Sequence, residues 1–296
     1  MCSSWKKLPP LLRWLLPAAI ALLIVWVYVG FALNSMGLLA LPVEYWLQFN
    51  TTFAIMLVCL GRTMAAQVTL DVAKHVQGDG SIELKYSGEK RFCRKCNVPK
   101  PDRTHHCSAC GSCIAKMDHH CVFLNKYSTP FHDGSRSPCW IHDDLVWRRC
   151  IGLENYKFFV LFLWWSAVVC LDTAYLTWTH VFGLAFDRLA HDIAARAFQL
   201  TSPHTQVVCV FFTSMCVGLA LLVFCGMHLV LSMCNLTTLE YCEKRGTIGF
   251  VNYYNVGVLS NLHQVFGNWL VACLPIYPAH MTALRQQFPV NVKKFD

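Results

Sequence analysis

The sequence predicts an all-α membrane protein: four transmembrane helices carry a small cytosolic, zinc-stabilised cysteine-rich domain between helices 2 and 3. Three observations predict it. Of 296 residues, 55% are hydrophobic and only 14% charged, where average chains carry about a quarter charged residues; mean hydropathy is correspondingly positive. Four stretches approach the roughly 20 apolar residues that cross a hydrocarbon core. Between the second and third of them, residues 93–121 hold six cysteines and four histidines.

The first stretch, residues 11–34, is broken only by Arg13 at its edge and by Pro17. It is too long for a cleaved signal peptide and no small-residue cleavage site follows, so it reads as a signal anchor. The second, residues 42–60, is diluted by Glu44, Gln48, Asn50, Thr51 and Thr52. Residues 160–182 carry Asp172 as their one charge, and residues 206–232 carry none. The chain therefore divides into a tail with helices 1 and 2 (1–61), a linker (62–91), the cysteine-rich domain (92–156), helices 3 and 4 (157–232) and a C-terminal region (233–296). No internal repeat is expected.

Lys and Arg placement orients the spans. Lys6, Lys7 and Arg13 precede the first span, residues 35–41 have no basic residue, and residues 62–157 are rich in them. Only Arg188 and Arg196 separate the last two spans, whereas Lys244, Arg245, Arg285, Lys293 and Lys294 follow the fourth. Both termini and the cysteine-rich segment are thus expected in the cytosol, where thiolates persist. The sequons at Asn50 and Asn235 then lie in a span and in the cytosol. The formal charge is +8, which thiolates closed around zinc would lower. A basic face beside membrane spans suits anionic lipid and a phosphorylated cofactor, and no nucleic-acid partner is expected.

The central run reads Cys93-x2-Cys96-x9-His106-Cys107-x2-Cys110-x2-Cys113-x4-Asp118-His119-His120-Cys121. In a reducing compartment, thiolates and imidazoles at such gaps close tetrahedral shells around zinc. A domain this small and polar has little apolar core, so metal binding would supply much of its folding energy.

This run resembles the cysteine-rich domain of the DHHC protein S-acyltransferases (palmitoyltransferases), integral membrane enzymes that move a fatty acyl group from acyl-CoA to protein cysteines. The resemblance implies two interleaved, closed, structural Zn2+ sites. One takes Cys93, Cys96, His106 and Cys113; the other takes Cys107, Cys110, His120 and a cysteine that typical members place six positions after the DHHC cysteine. Asp118, His119 and Cys121 are then unmetallated. His119 would take the proton of Cys121, Asp118 would orient His119, and the thiolate would attack an acyl-CoA, palmitoyl-CoA first of all. The implied partners are membrane lipid, acyl-CoA and substrate proteins with membrane-proximal cysteines, on an endomembrane such as the Golgi or ER. The competing reading makes Cys121 a ninth ligand in a membrane-tethered zinc module that scaffolds other proteins.

After Cys121 the chain departs from the family pattern. Residues 126–149 replace a single asparagine, and the pattern resumes at Cys150-Ile151-Gly152-Leu153-Glu154-Asn155-Tyr156. Either this insertion is a loop whose ends meet, leaving Cys150 as last ligand at modest entropic cost; or Cys139 or His142 competes for the metal; or the segment is a retained intron. Val122-Phe123 stands where relatives have Pro-Trp.

Two distal motifs extend the resemblance. Thr237-Thr238-Leu239-Glu240 matches the family's Thr-Thr-x-Glu, which packs against the catalytic domain, with Thr238 expected to bond Asp118; the bland reading is a helix cap with a surface carboxylate. Residues 261–267, starting at Asn261, resemble the C-terminal Asn-and-aromatic motif and suggest a structural role. An acyl chain needs a dry cavity, which Trp164 and Trp165 would line unless they face lipid. Lys95, Lys100 and Arg103 either meet CoA phosphates or form a solvated basic surface. Cys2, Cys234 and Cys242 lie near the membrane as candidates for acylation.

Overall fold

The computed structural model describes residues 10–37, 41–68, 82–84, 88–122, 124, 127–128, 146–147, 150–195, 202–244 and 250–294. The four apolar stretches each fall almost wholly within a helix: α1 (Pro10–Gly37), α2 (Val43–Ala65), α3 (Tyr156–His180) and α5 (Pro203–Met233). Among the described residues, three helical stretches, Val43–Ala65, Tyr156–Gly183 and Pro203–Met233, are long and apolar enough to cross a membrane. The described apolar part of α1, Pro17–Ala32, falls short of a full span. Three polar residues of α2 bond within its own turns: Thr51 Oγ1 donates to the Leu47 carbonyl, Asn50 Nδ2 to that of Trp46 and Thr52 Oγ1 to that of Phe49. Such back-bonding satisfies polar groups where water is scarce.

The chain divides into two compact units. One comprises residues 18–59 and 161–227. There α1 and α2 meet through Tyr28, Phe31, Phe49 and Phe53, with Phe31 stacked on Phe49 at 3.8 Å. Ala174, Val181, Val207 and Phe211 form a second apolar cluster beside α4 (Phe186–Ala194). Asp172 accepts two hydrogen bonds from Gln48 at 3.2 and 3.3 Å. Trp164 is exposed on its helix, which favours a lipid-facing position over a cavity wall.

The other unit comprises residues 1–17, 60–160 and 228–296. Its centre is built from short antiparallel ladders: β1 (Phe92–Cys93) with β2 (Val98–Pro99), β3 (His105–Cys107) with β4 (Ser112–Ile114), and β5 (His119–His120) with β8 (Cys150–Ile151). Between the last two strands, β6 (Tyr127–Ser128) pairs antiparallel with β7 (Val146–Trp147). The two ends of the insertion therefore meet in a ladder; Cys139 and His142 lie outside the described residues. Around these ladders pack α6 (Thr238–Lys244), α7 (Val258–Phe266) and α8 (Met281–Gln286). One apolar cluster joins Val68, Ile114 and Met117 to three cysteines. Another joins Ala115, Leu153 and Tyr254 to Met281, Leu284 and Phe288.

Candidate active site and metal centres

Each zinc-type half-site begins as a tight turn. In Cys93-x2-Cys96 the Cys96 amide donates to the Cys93 sulfur at 3.4 Å, and in Cys107-x2-Cys110 the Cys110 amide donates to Cys107 at the same distance. The residue that follows each turn is left-handed, Asn97 at φ 53° and Gly111 at φ 67°. Asn and Gly tolerate that region best. The turn thus aims two sulfurs at one point and then sends the chain back along a hairpin.

Cys93, Cys96, His106 and Cys113 converge on one point; Cys107, Cys110, His120 and Cys150 converge on another. Both histidines approach through Nδ1, at 3.2 to 4.0 Å from the sulfurs of the first group and 3.4 to 3.7 Å in the second. A tetrahedron with metal–sulfur bonds near 2.3 Å has edges of about 3.8 Å, so these spacings fit a metal. Cys110 and Cys150 are 3.4 Å apart, far beyond a disulfide bond of about 2.05 Å. Two sets of Cys3His donors, each able to hold a metal ion, are the result.

Cys150 reaches the second group because β8 pairs with β5, setting Cys150 opposite His120. Its position depends on Gly152, where a Cβ would sit 2.8 Å from the Ala115 carbonyl oxygen and from Ile114. That close approach lets the Leu153 amide bond Ala115 at 3.0 Å. Asn155 locks the same turn, accepting from the Gly152 amide and donating to the carbonyls of Cys150 and Thr63.

Cys121 belongs to neither group. It is buried two residues beyond His119, whose Nδ1 lies 2.6 Å from Asp118 Oδ2. That bond leaves Nε2 as the nitrogen facing other partners. Burial disfavours the His119 cation, but the hydrogen bonds to Asp118 and Cys121, with the charges of both, outweigh it and raise the pKa to about 9. Burial also opposes charge on Asp118, yet His119 and the Thr238 amide hold its carboxyl below the usual range. Thr238 donates twice, from its amide to Oδ1 at 2.8 Å and from its hydroxyl to Oδ2 at 2.9 Å. On the far side, Phe159 and His228 wall the His119 ring at centroid distances of 5.2 and 6.0 Å.

The distal motif reaches further than its sequence suggests. Glu240 is buried rather than a surface cap. It takes two hydrogen bonds of 2.7 Å from Arg103, itself fully buried between the Tyr254 and Phe288 rings. Burial opposes charge on Glu240, but Arg103 brings its pKa down to about 2. This corrects both readings of Arg103, which is neither solvated nor free to meet a phosphate. Lys95 does lie exposed and Lys100 half-buried. Asn261 holds the Met233 carbonyl and Asn255 through its amide nitrogen.

Asn235 is a site that sequence reading missed. It sits in the left-handed region at φ 48°. Its side chain accepts from Arg103 and Lys116 and donates to the Tyr254 carbonyl and to Gln264. Buried and saturated with partners, it is no glycan acceptor. A second missed signal is an internal repeat: at an offset of 14, Cys93, Cys96, His105, His106 and Cys107 match Cys107, Cys110, His119, His120 and Cys121.

Comparison with known proteins agrees with this geometry. The family profile described as DHHC palmitoyltransferase matches residues 86–127 and 145–245, skipping most of the insertion. A protein named Probable protein S-acyltransferase 13 from Arabidopsis thaliana is 35% identical over 205 residues, covering 68% of this chain and 56% of its own. Palmitoyltransferase ZDHHC15 of Mus musculus is 35% identical over 199 residues, 62% of this chain and 47% of its own. Palmitoyltransferase pfa3 of Emericella nidulans is 34% identical over 168 residues, 55% and 26% respectively. The chain thus spans about half the length, or less, of the curated relatives it matches. Three apolar helices of spanning length and these matches make it a membrane protein. Carrying this domain in residues 86–127 and 145–245, the chain belongs to the DHHC palmitoyltransferase family.

Proposed function

We propose that the chain is a protein S-acyltransferase that moves a long-chain acyl group, palmitoyl first of all, from acyl-CoA to cysteines of other proteins. One observation carries the reading: eight of the candidate ligands are consumed in two complete Cys3His sets, and the thiol left over lies beside a bonded Asp–His pair.

The chemistry follows from that placement. His119 Nε2 takes the Cys121 proton, and Asp118, held by Thr238, stabilises the imidazolium. The thiolate attacks the acyl carbonyl carbon, the carbon–sulfur bond to CoA breaks, and the departing CoA thiolate recovers the proton from His119. A substrate cysteine then gives its proton to His119 and attacks the acyl carbon; the carbon–sulfur bond to Cys121 breaks, and the released Cys121 thiolate takes that proton back from His119. Thioester exchange is nearly isoenergetic, so the acceleration comes from positioning. Cys93, Cys96, His106 and Cys113, and Cys107, Cys110, His120 and Cys150, would each hold a zinc ion whose binding would supply folding energy to the short ladders around Asp118 and His119.

With this reading go four spans, α1 included, and a cytosolic active site on an endomembrane, as the basic residues around residues 62–157 favour. Purified protein incubated with labelled palmitoyl-CoA should carry a hydroxylamine-sensitive label. In Cys121→Ser that label should vanish while zinc content stays unchanged. Label persisting in that variant would support the scaffolding alternative instead.

A further inference from the structure

Residues 246–284 contain no Asp, Glu, Lys or Arg, whereas roughly a quarter of residues in a soluble chain are charged. The described part of this stretch does not hide its apolar side chains. Leu259 is 83% exposed, Trp269 80% and Leu270 61%, and Val258, Leu274 and Ile276 are exposed with them. Water-facing surfaces seldom gather so many large apolar groups without charge between them.

The same stretch is fastened to the ends of α2, α3 and α5. Asn261 Nδ2 donates to the Met233 carbonyl, the last residue of α5, at 2.7 Å. Lys157, in the first turn of α3, donates its buried ammonium to the carbonyls of Phe266, Val271 and Ile276 at 2.8, 2.8 and 2.9 Å. Arg62, near the end of α2, lies 5.2 Å over the Tyr277 ring. Helix ends of this kind sit where hydrocarbon gives way to headgroups, so the apolar groups fastened to them stand at that level. A helix of nine residues, a turn at Gly267 with φ 80°, and Pro275 leave nothing long enough to cross.

We infer that residues 258–277 form a monotopic membrane anchor: Trp269 and Leu270 insert between lipid headgroups, and the segment lies on the bilayer that α2, α3 and α5 cross. Aromatic rings favour that depth, where one edge is dry and the other wet. An amphipathic surface segment binds through its buried apolar area.

The test uses the full chain in nanodiscs of phosphatidylcholine and phosphatidylserine. A photoreactive benzoylphenylalanine replaces Trp269 in one variant and Leu270 in another, and adducts are read by mass spectrometry after illumination. Lipid adducts at both positions are expected, with few at the exposed Val292 beside Lys293. Adducts to a second copy or another protein, or labelling at Val292 equal to that at 269, overturn the inference. A second readout needs no bulky label: the emission lost in Trp269→Phe should be blue-shifted and quenched by lipids brominated near the glycerol. Red-shifted, unquenched emission also overturns it.

Discussion

Two copies of one cysteine–histidine device lie 14 residues apart in the chain, and they differ in what becomes of their last thiol. Residues 93–107 and 107–121 each begin with a Cys-x2-Cys turn in which the amide of the second cysteine bonds the first sulfur at 3.4 Å, and each turns the Nδ1 of one histidine to its sulfurs. The histidine just before that ligand differs in kind. His105 is driven to about 4 by burial and by the Arg91 charge, whereas His119 is raised to about 9. Position 104 is a buried threonine whose hydroxyl meets no partner among the described residues, while its counterpart, Asp118, bonds the imidazole. The final cysteine differs too. Cys107 is consumed by the second ligand set; Cys121 is left over because Cys150 arrives from beyond the insertion. One carboxylate and one distant cysteine separate a turn whose last thiol joins a candidate ligand set from one whose last thiol is left over beside an Asp–His pair.

The Thr237–Glu240 stretch serves both copies. Thr238 bonds Asp118 of the second, while Glu240 bonds Arg103 of the first. The counterpart of Arg103 is Met117, which packs into an apolar cluster.

The largest break in the comparison should come from Cys107→Ser, the counterpart of Cys121→Ser. Structural zinc contributes on the order of 10 kcal/mol to folding of small modules, so zinc per chain should fall from about two towards one and detergent-solubilised protein should lose much of its thermal stability. Cys121→Ser should change neither. Asp118→Asn should slow acyl-enzyme formation by roughly 10²–10⁴-fold with both metals retained; a loss smaller than that would make the carboxylate a bystander.

Arg103→Met removes one partner of a buried ion pair and should destabilise by about 3–5 kcal/mol in chemical denaturation, mirroring the apolar residue of the other copy without its packing. The sign of its pH dependence follows from Glu240, whose folded pKa near 2 lies below its ordinary 4.5. The pair's contribution is complete above 4.5 and is lost as pH falls through 2, so wild type and Glu240→Gln should converge in acid. Gly152→Ala, which sets a methyl against the Ala115 carbonyl, should cost about 1–3 kcal/mol and loosen the second metal set first. Deletion of residues 129–145 should do least: both zinc ions and the acyl label should survive, because the ladder of β6 and β7 closes above the cut.

The histidines offer a finer test. In selectively labelled protein His119 should remain protonated until pH rises towards 9, its stabilising bonds being complete below 6.5 and lost above that range. His105 should be neutral above about pH 4. Thr104→Asp should narrow the gap.

Much of this was legible because ligand chemistry is written in local spacing. Cys-x2-Cys, paired histidines and long apolar runs declare themselves within a few residues, and Thr238 could be tied to Asp118 through its motif. Arg103 could not be read that way, since its burial depends on Glu240 and Asn235, more than 130 positions away. Asn235 itself wears the signature of a sequon on the outside of a protein, while its backbone turn points it inward. The 14-residue repeat was present in the letters all along, hidden because the interleaved ligands make each copy look incomplete.

X-ray absorption at the zinc edge, on the full chain and on Cys121→Ser, tests the central claim most directly. An average shell of three sulfurs and one nitrogen, identical in both proteins, is the result predicted. A sulfur count that falls when Cys121 is replaced would place that thiol on a metal and contradict the account.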